Sequence, residues 1–323
     1  GIKIENRKPT RCPGYRSISE DKAMLKLLRQ GSSKDIYEVN GQPDQLVFHF
    51  SDRVSVFDVG PIPTAFPGLG VLRCAIAGRL FEVLEYAGVS THYFSHNIPS
   101  ATMKVMAAQI PEKDFNPPGA LGRLLPLEFL FRYVLTKKAC DRMPADSAER
   151  TKVEKFLASG QKFELGARLM PAFVECSTKW QAADDYISDN DAATLAQVEP
   201  RIMAALQRDC ANVAGILRNF FRPAGFGLAD GKFELILPFR IGDSISPDEL
   251  RLIGPDGKSY DKDPARVWYE ANQSDWLRRL KAAKAAYPND KSQWPTYEDV
   301  PPPEVVNEMV RRYRTVAEAI KAI

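Results

Sequence analysis

GLADGKFELILPFRIGDSISPDELR, residues 227–251, is the stretch on which the fold turns. Asp230, Lys232 and Glu234 stand two apart, so in a strand all three point to one face. Phe233, Leu235 and Leu237 take the other face. A turn at Pro238–Arg240 leads to Gly242-Asp243, then to Ser246-Pro247-Asp248 and Arg251. The pattern is a hairpin, apolar on one side and charged on the other. Carboxylates meeting near the end of such a hairpin suit a hard divalent cation, which prefers oxygen ligands. An edge hairpin with a solvated acidic face has the same spacing, and spacing alone favours that plainer reading.

The rest of the chain narrows the class. It has 323 residues, enough for a large core and two lobes. Hydrophobic content of 44% and charged content of 26% are those of a soluble globular protein. A net charge of +3 with interspersed signs gives no reason to expect a nucleic-acid partner. Five scattered cysteines, with no CxxC pair and no histidine at ligand spacing, argue against a zinc site and a disulfide framework. They fit a reducing, cytoplasmic setting. No apolar run reaches membrane-spanning length, so no membrane partner is expected. A homo-oligomer remains open.

In chain order, residues 1–23 read as a polar extension. MLKLLRQ (24–30) reads as a strand, and GSSKDIYEV (31–39) as a glycine-serine turn returning into a strand. Backbone N–H groups of Gly31, Ser32 and Ser33, with Lys34 beside them, can hold phosphates, although such a turn is also an ordinary hairpin. Residues 45–52 alternate as a strand, which 52–59 is expected to continue. Helical spacing over 71–88 puts Leu72, Ile76, Leu80, Val83, Leu84 and Ala87 inward, with Gly88 as the stop. Residues 89–94 and 101–110 read as strands, and His92 and His96 as surface or satisfied residues. Residues 112–124 read as a loop insertion. In PLEFLFRYVL (126–135), Glu128 and Arg132 lie among large apolar residues, so each needs a partner or a ligand. Residues 137–160 look helical and peripheral. Residues 191–222 read as mostly helical, with Pro200 opening the main helix and Ile202, Leu206, Val213, Leu217 and Phe220 in its core stripe. Lys262 and Arg266 would share one helix face, which suits a phosphate as well as it suits plain solvent. Residues 303–320 close the chain as an amphipathic helix.

The order of these segments resembles the SAICAR synthetases. GSSKDIYE (31–38) approaches the family pattern G-K-x-[KR]-D-x-Y-E. DRVSVFDV (52–59) approaches DR-[IV]-S-A-F-D, and PGLGVL (67–72) approaches PGKG-x-L. PLEFLFR (126–132), Ser177-Thr178-Lys179, the Asp230/Lys232/Glu234 triplet, DSISPDELR (243–251), Ser259 to Lys262 with Arg266, and PPPEVV (301–306) follow in the family's order. Each block alone is weak; together, over residue 25 to the end, they are specific.

The resemblance implies an α+β, ATP-grasp-like two-lobe fold with antiparallel sheets and packed helices. It divides the chain into the extension 1–23, a β-rich ATP-binding lobe 24–110, and a larger α+β lobe 111–323. The implied activity is an ATP-dependent ligase. It joins the carboxylate of an aminoimidazole ribonucleotide to the amine of L-aspartate and releases ADP and phosphate. ATP and Mg2+ are the implied cofactors; a small carboxylate and an amino acid are the implied substrates. Gly31, Ser32, Ser33, Lys34 and Lys232 would hold ATP, and Glu234 and Asp243 the metal. Lys179 and Lys232 would stand by the transferred phosphoryl. Arg132, Asp248, Arg251, Lys262 and Arg266 would hold the ribonucleotide. The chain departs from the pattern at Leu69, at Arg73, at Thr136-Lys137-Lys138 where a Gly-Ser loop is expected, at Gln181, and at Ser244 in place of an acid. Those departures leave open a paralogue joining a different carboxylate and amine, or a non-catalytic nucleotide-binding relative.

Overall fold

A computed structural model describes residues 25–110, 122–180 and 185–323. The N-terminal extension, most of the 112–124 insertion, and Gln181 lie outside the described residues.

The first sheet is antiparallel, with strand order β1-β2-β3-β5-β4. Its strands are β1 Leu25–Gln30, β2 Lys34–Val39, β3 Gln42–Phe50, β4 Tyr93–Asn97 and β5 Thr102–Met106. Helix α1, Leu69–Tyr86, packs on it. Ile76, Leu80 and Leu84 are buried as expected, whereas Leu72 and Val83 are half-buried and Ala87 is exposed. The stripe is turned toward Arg73, Cys74, Ala77 and Phe81. Gly88 has φ +83°, and the N–H groups of Gly88 and Val89 donate to Glu85 and Leu84 carbonyls. That is a Schellman stop, which glycine enters without a Cβ penalty.

Residues 52–59 do not continue β3. Phe57 and Asp58 adopt left-handed φ of 58° and 59°, which ends an extended run. Asp52 explains the departure. Its carboxylate accepts from the backbone N–H of Gly68 (3.1 Å) and Gly70 (2.8 Å), so it serves the open amino end of α1 rather than a ladder.

The second sheet has strand order β10-β9-β6-β7-β8, with β11 also on β9, all antiparallel. These strands are β6 Leu127–Val134, β7 Arg168–Thr178, β8 Tyr186–Ile187, β9 Gly227–Ile236, β10 Arg240–Gly242 and β11 Leu250–Ile253. The 137–160 segment forms two short helices, α2 Lys137–Arg142 and α3 Ala148–Glu154, with Pro144 between them. Thr136 and Ser147 cap them, accepting from Ala139 and Arg150 N–H. Helix α4, Asp189–Ala196, leads into α5, Pro200–Phe221. Leu206, Val213 and Leu217 of α5 are buried, but Ile202 is exposed. Helices α6 Asp263–Asn272, α7 Ser274–Ala286 and α8 Pro303–Lys321 complete the described chain.

Register fixes which residues share a face of this sheet. Phe129 pairs with Phe233 and Cys176, and Phe131 with Gly231 and Val174. That face is apolar and packs on α5. At Gly231 a Cβ would lie 2.7 Å from the side-chain ends of both Phe131 and Leu250, so a larger residue there would have to displace them. The sheets meet where His92 N–H donates to Ile241 O and Ile241 N–H to Ser90 O, each 3.0 Å.

Candidate active site

The other face of the second sheet is ionic. Glu128 pairs with Ser177, Leu130 with Glu175 and Lys232, Arg132 with Asp230, and Asp230 with Arg251. Residues directly opposite in an antiparallel ladder share a face. Glu234 stands on it too, two residues from Lys232. The alternation read from residues 227–251 therefore holds. The acids do not face open water, because each meets a cation from a neighbouring element.

Three lysine–acid pairs line this face. Lys34, from the end of the glycine-serine turn, lies 2.7 Å from Asp243. Lys179, just past β7, bonds Glu234. Lys232 bonds Glu128 at 2.5 Å. Glu128 thus has the partner its burial demands. Burial pulls the Lys34 and Lys232 ammoniums down, but the surrounding acids together outweigh it, Asp243 and then Glu249 at Lys34, Glu128 and then Glu234 at Lys232, and hold both above the ordinary lysine range. Burial also opposes charge on Asp243, yet Lys34 and then Lys179 keep its carboxyl well below the usual carboxylate range. Glu234 is pushed the other way, by burial and by the charge of Asp243. Two acids so close resist joint ionisation unless cations intervene.

The turn positions Lys34. Gly31 N–H donates to Lys34 O at 2.9 Å, and a Cβ on Gly31 would lie 2.6 Å from that oxygen. Asp243 has φ +57°, a left-handed conformation that Asp tolerates and that belongs to tight functional turns. Its backbone oxygen lies 2.7 Å from His92 Nε2. Because a carbonyl only accepts, that nitrogen carries the proton. Burial lowers the imidazole to about 4, so His92 is a neutral, satisfied residue. His96 bonds the Tyr93 hydroxyl at 2.7 Å. An open cavity lined by Arg29, Gly31, Ser32 and Arg53 flanks the turn, but Lys34, Asp243 and Glu234 do not line it.

At the other end the cations gather. Arg132 Nε donates to Glu175 at 2.8 Å, and Arg142 of α2 holds the second oxygen of Glu175 at 2.5 Å. The Arg142 guanidinium stacks 3.7 Å from the Tyr186 ring centroid, and Arg132 donates to the Tyr186 hydroxyl. Arg251 is 3.5 Å from Asp230. Lys262 and Arg266 do not act on one partner. Lys262, just before α6, lies 3.4 Å from Asp248, and Arg266 lies 2.7 Å from Asp261. Asp248 accepts a bidentate fork from Arg73 at 2.6 and 2.8 Å. Of the expected substrate residues, it is the one whose carboxylate is fully engaged inside the fold.

Sequence reasoning flagged Arg73 only as a departure from the family pattern and missed Glu175, Arg142 and Tyr186. The available signal was a charge within an apolar run: Arg73 in the α1 stripe and Glu175 within LMPAFVECST.

The family model for SAICAR synthetase matches residues 27–283. A phosphoribosylaminoimidazole-succinocarboxamide synthase from Thermoplasma acidophilum is 28% identical over 66% of this chain and 69% of its own. SAICAR synthase from Saccharomyces cerevisiae, solved in complex with SAICAR, superposes with a TM-score of 0.66 at 20% identity, covering 93% of this chain and 96% of that one. A SAICAR synthetase solved in complex with ADP gives 0.56 at 21% identity, over 83% and 99%. With the matched model spanning most of its length, the chain belongs to the SAICAR synthetase family of ATP-dependent ligases.

Proposed function

We propose that the ionic face joins the carboxylate of an aminoimidazole ribonucleotide to the amine of L-aspartate at the expense of ATP. The observation that carries this reading is the row of lysine–acid pairs, Lys34–Asp243, Lys179–Glu234 and Lys232–Glu128, running from the glycine-serine turn across the sheet. A carboxylate is a poor acyl donor because its leaving group would be an oxide. Phosphorylation supplies phosphate as the leaving group, and the amine then attacks the acyl phosphate. The protein's task is to hold the reactants in line and offset charge on the transferred group.

Lys34, Lys179 and Lys232 are cations available to phosphate oxygens, each stored on an acid until a nucleotide arrives. Asp243 and Glu234 fit a magnesium–nucleotide site. Magnesium takes one or two carboxylates plus phosphate oxygens rather than an all-protein cage, and among the described residues no group of three or more His, Cys, Asp or Glu side chains could hold a metal alone. Held by Asp243 and Glu234, magnesium would supply positive charge against the charge that builds up on the transferred phosphoryl group. Arg132, Arg251 and Arg266, with planar donor forks, suit the ribonucleotide phosphate and carboxylate.

ADP release measured with the aminoimidazole carboxylate and L-aspartate tests the proposal. Sustained turnover is expected; ATP binding without turnover on that pair would sink the substrate assignment. Glu234→Ala is expected to cut ATP turnover by at least about a hundredfold in a chain that still folds, as read by circular dichroism at the assay temperature. Undiminished turnover would remove Glu234 from the metal site. One observation favours a second reading. Where the family has its Gly-Ser loop, this chain builds α2, which brings Arg142 onto Glu175 and Tyr186. A pocket altered there would take a different carboxylate or amine through the same ATP chemistry.

A further inference from the structure

We infer that Glu249 is a positioning residue for Lys34, acting through the Ser244 hydroxyl; this rests on reading Lys34 as a phosphate-binding lysine. Glu249 is held at both carboxylate oxygens. Ser246 donates to Oε2 from its backbone N–H at 2.9 Å and from its hydroxyl at 2.8 Å. Ser244 Oγ donates to Oε1 at 3.3 Å. Lys34 Nζ in turn donates to Ser244 Oγ at 3.1 Å. The loop that carries these groups is closed on itself, since Glu249 and Leu250 N–H both donate to Ser246 O at 2.9 Å.

The direction of the relay follows from donor counting. A serine hydroxyl has one proton and two lone pairs, and an ammonium can only donate. With the Ser244 proton committed to Glu249, its oxygen faces Lys34 as an acceptor. Replacing Glu249 with an apolar side chain frees that proton to rotate, and Ser244 no longer has a fixed orientation toward Lys34.

The contact has a use that the Lys34–Asp243 pair cannot supply. Asp243 is also the acid that fits a divalent cation, and a carboxylate shared with such a cation holds an ammonium less firmly. Ser244 carries no charge for a metal to draw away, and Glu249 anchors it from behind. Lys34 therefore keeps one fixed partner whichever way Asp243 is engaged.

The test is ADP binding in magnesium chloride by isothermal titration calorimetry, with thermal melts alongside, for the parent chain and for Glu249→Ala, Glu249→Gln, Ser244→Ala and the Ser244→Ala/Glu249→Ala double variant. Glu249→Ala is expected to weaken ADP about tenfold, the worth of one charge-assisted hydrogen bond. Glu249→Gln, whose amide oxygen still accepts from Ser244, should stay within about threefold of the parent. Ser244→Ala should weaken ADP as well, by no more than Glu249→Ala, which also removes a carboxylate whose charge acts on Lys34 directly. The double variant should be no weaker than Glu249→Ala, because both changes cut one path. KM for ATP should rise with the loss in ADP affinity while KM for aspartate holds. Parent-like ADP affinity in Glu249→Ala, or single effects that multiply in the double variant, would overturn the relay. If Glu249→Ala melts below the assay temperature, Ser244→Ala decides, and parent-like affinity there overturns it. A parent chain that does not bind ADP at all is a different result, and it removes the nucleotide-site reading itself.

Discussion

Arg73 sits within α1 with its guanidinium on both oxygens of Asp248 and on the backbone oxygens of Ser51 and Arg53 at 2.7 Å. Both side chains are almost fully buried, at 1% and 4% exposed. Burial opposes charge on Asp248, but Arg73 and then Lys262 hold its carboxyl well below the usual range. Such a pair contributes little net stability beyond an apolar substitute, yet breaking it leaves one buried charge alone. Arg73→Leu should therefore cost about 3–5 kcal/mol in urea unfolding, and adding Asp248→Leu should recover part of that. A neutral single change would show that water or Lys262 already satisfies Asp248. The same pair marks the limit of the sequence reading. That Glu128 and Arg132 needed partners was legible, because a charge among large apolar residues announces its own cost. Which partners they have was not. Arg73 and Asp248 are 175 residues apart, and only the packing of α1 against the loop after β10 brings them together.

At the scale of elements, periodicity carried most of the fold. The period-two face of β9 and the 3.6-period face of α8 are where the spacing put them, and Val306, Met309, Val310, Tyr313 and Ile320 are all buried. Periodicity failed where one side chain served a neighbouring element. Residues 52–59 alternate like a strand, but Asp52 is drawn to the amino end of α1 by two backbone N–H groups. That end otherwise depends on Gly68, which has no side chain to cap with. Asp52→Ala should therefore cost about 1 kcal/mol in thermal melts, the usual loss of a cap. Asp52→Asn, which still presents an oxygen, should cost less. One residue into α1, Gly70 lies against β3, where an added Cβ would be 2.5 Å from Phe50 O. Backbone cannot yield there as a flexible side chain would. Gly70→Ala should cost about 1–3 kcal/mol, in the range of overpacking, despite alanine's better helix propensity. A stabilised Gly70→Ala protein would mean that α1 can slide on β3.

At the scale of the whole molecule, the two sheets share one buried apolar cluster. It runs from Leu46 and Phe48 through α1 to Phe129, Phe233, α5 and Val316 of α8. A continuous core predicts that the sheets open together rather than as separate units. Three cysteines in that cluster can report the opening. Cys74 lies in α1 over the first sheet, Cys176 on β7, and Cys210 on α5 beneath the second sheet. Burial pushes the Cys74 and Cys176 thiols up to about 12, and Cys210 well above its ordinary range, so none reacts as thiolate in the folded chain. Cys140 is only partly buried and should label in the native state. Thiol labelling read by peptide mass spectrometry is then expected to give Cys74, Cys176 and Cys210 one common protection factor, equal to the global unfolding constant. Saturating ADP with magnesium should raise all three together. At free ligand a hundred times Kd, the increase should be about a hundredfold, since a ligand that binds only the folded state shifts the equilibrium by that factor. If Cys74 alone labels early and ADP slows only that site, the first sheet opens by itself, and the shared core does not couple the phosphate-side turn to the ionic face across from it.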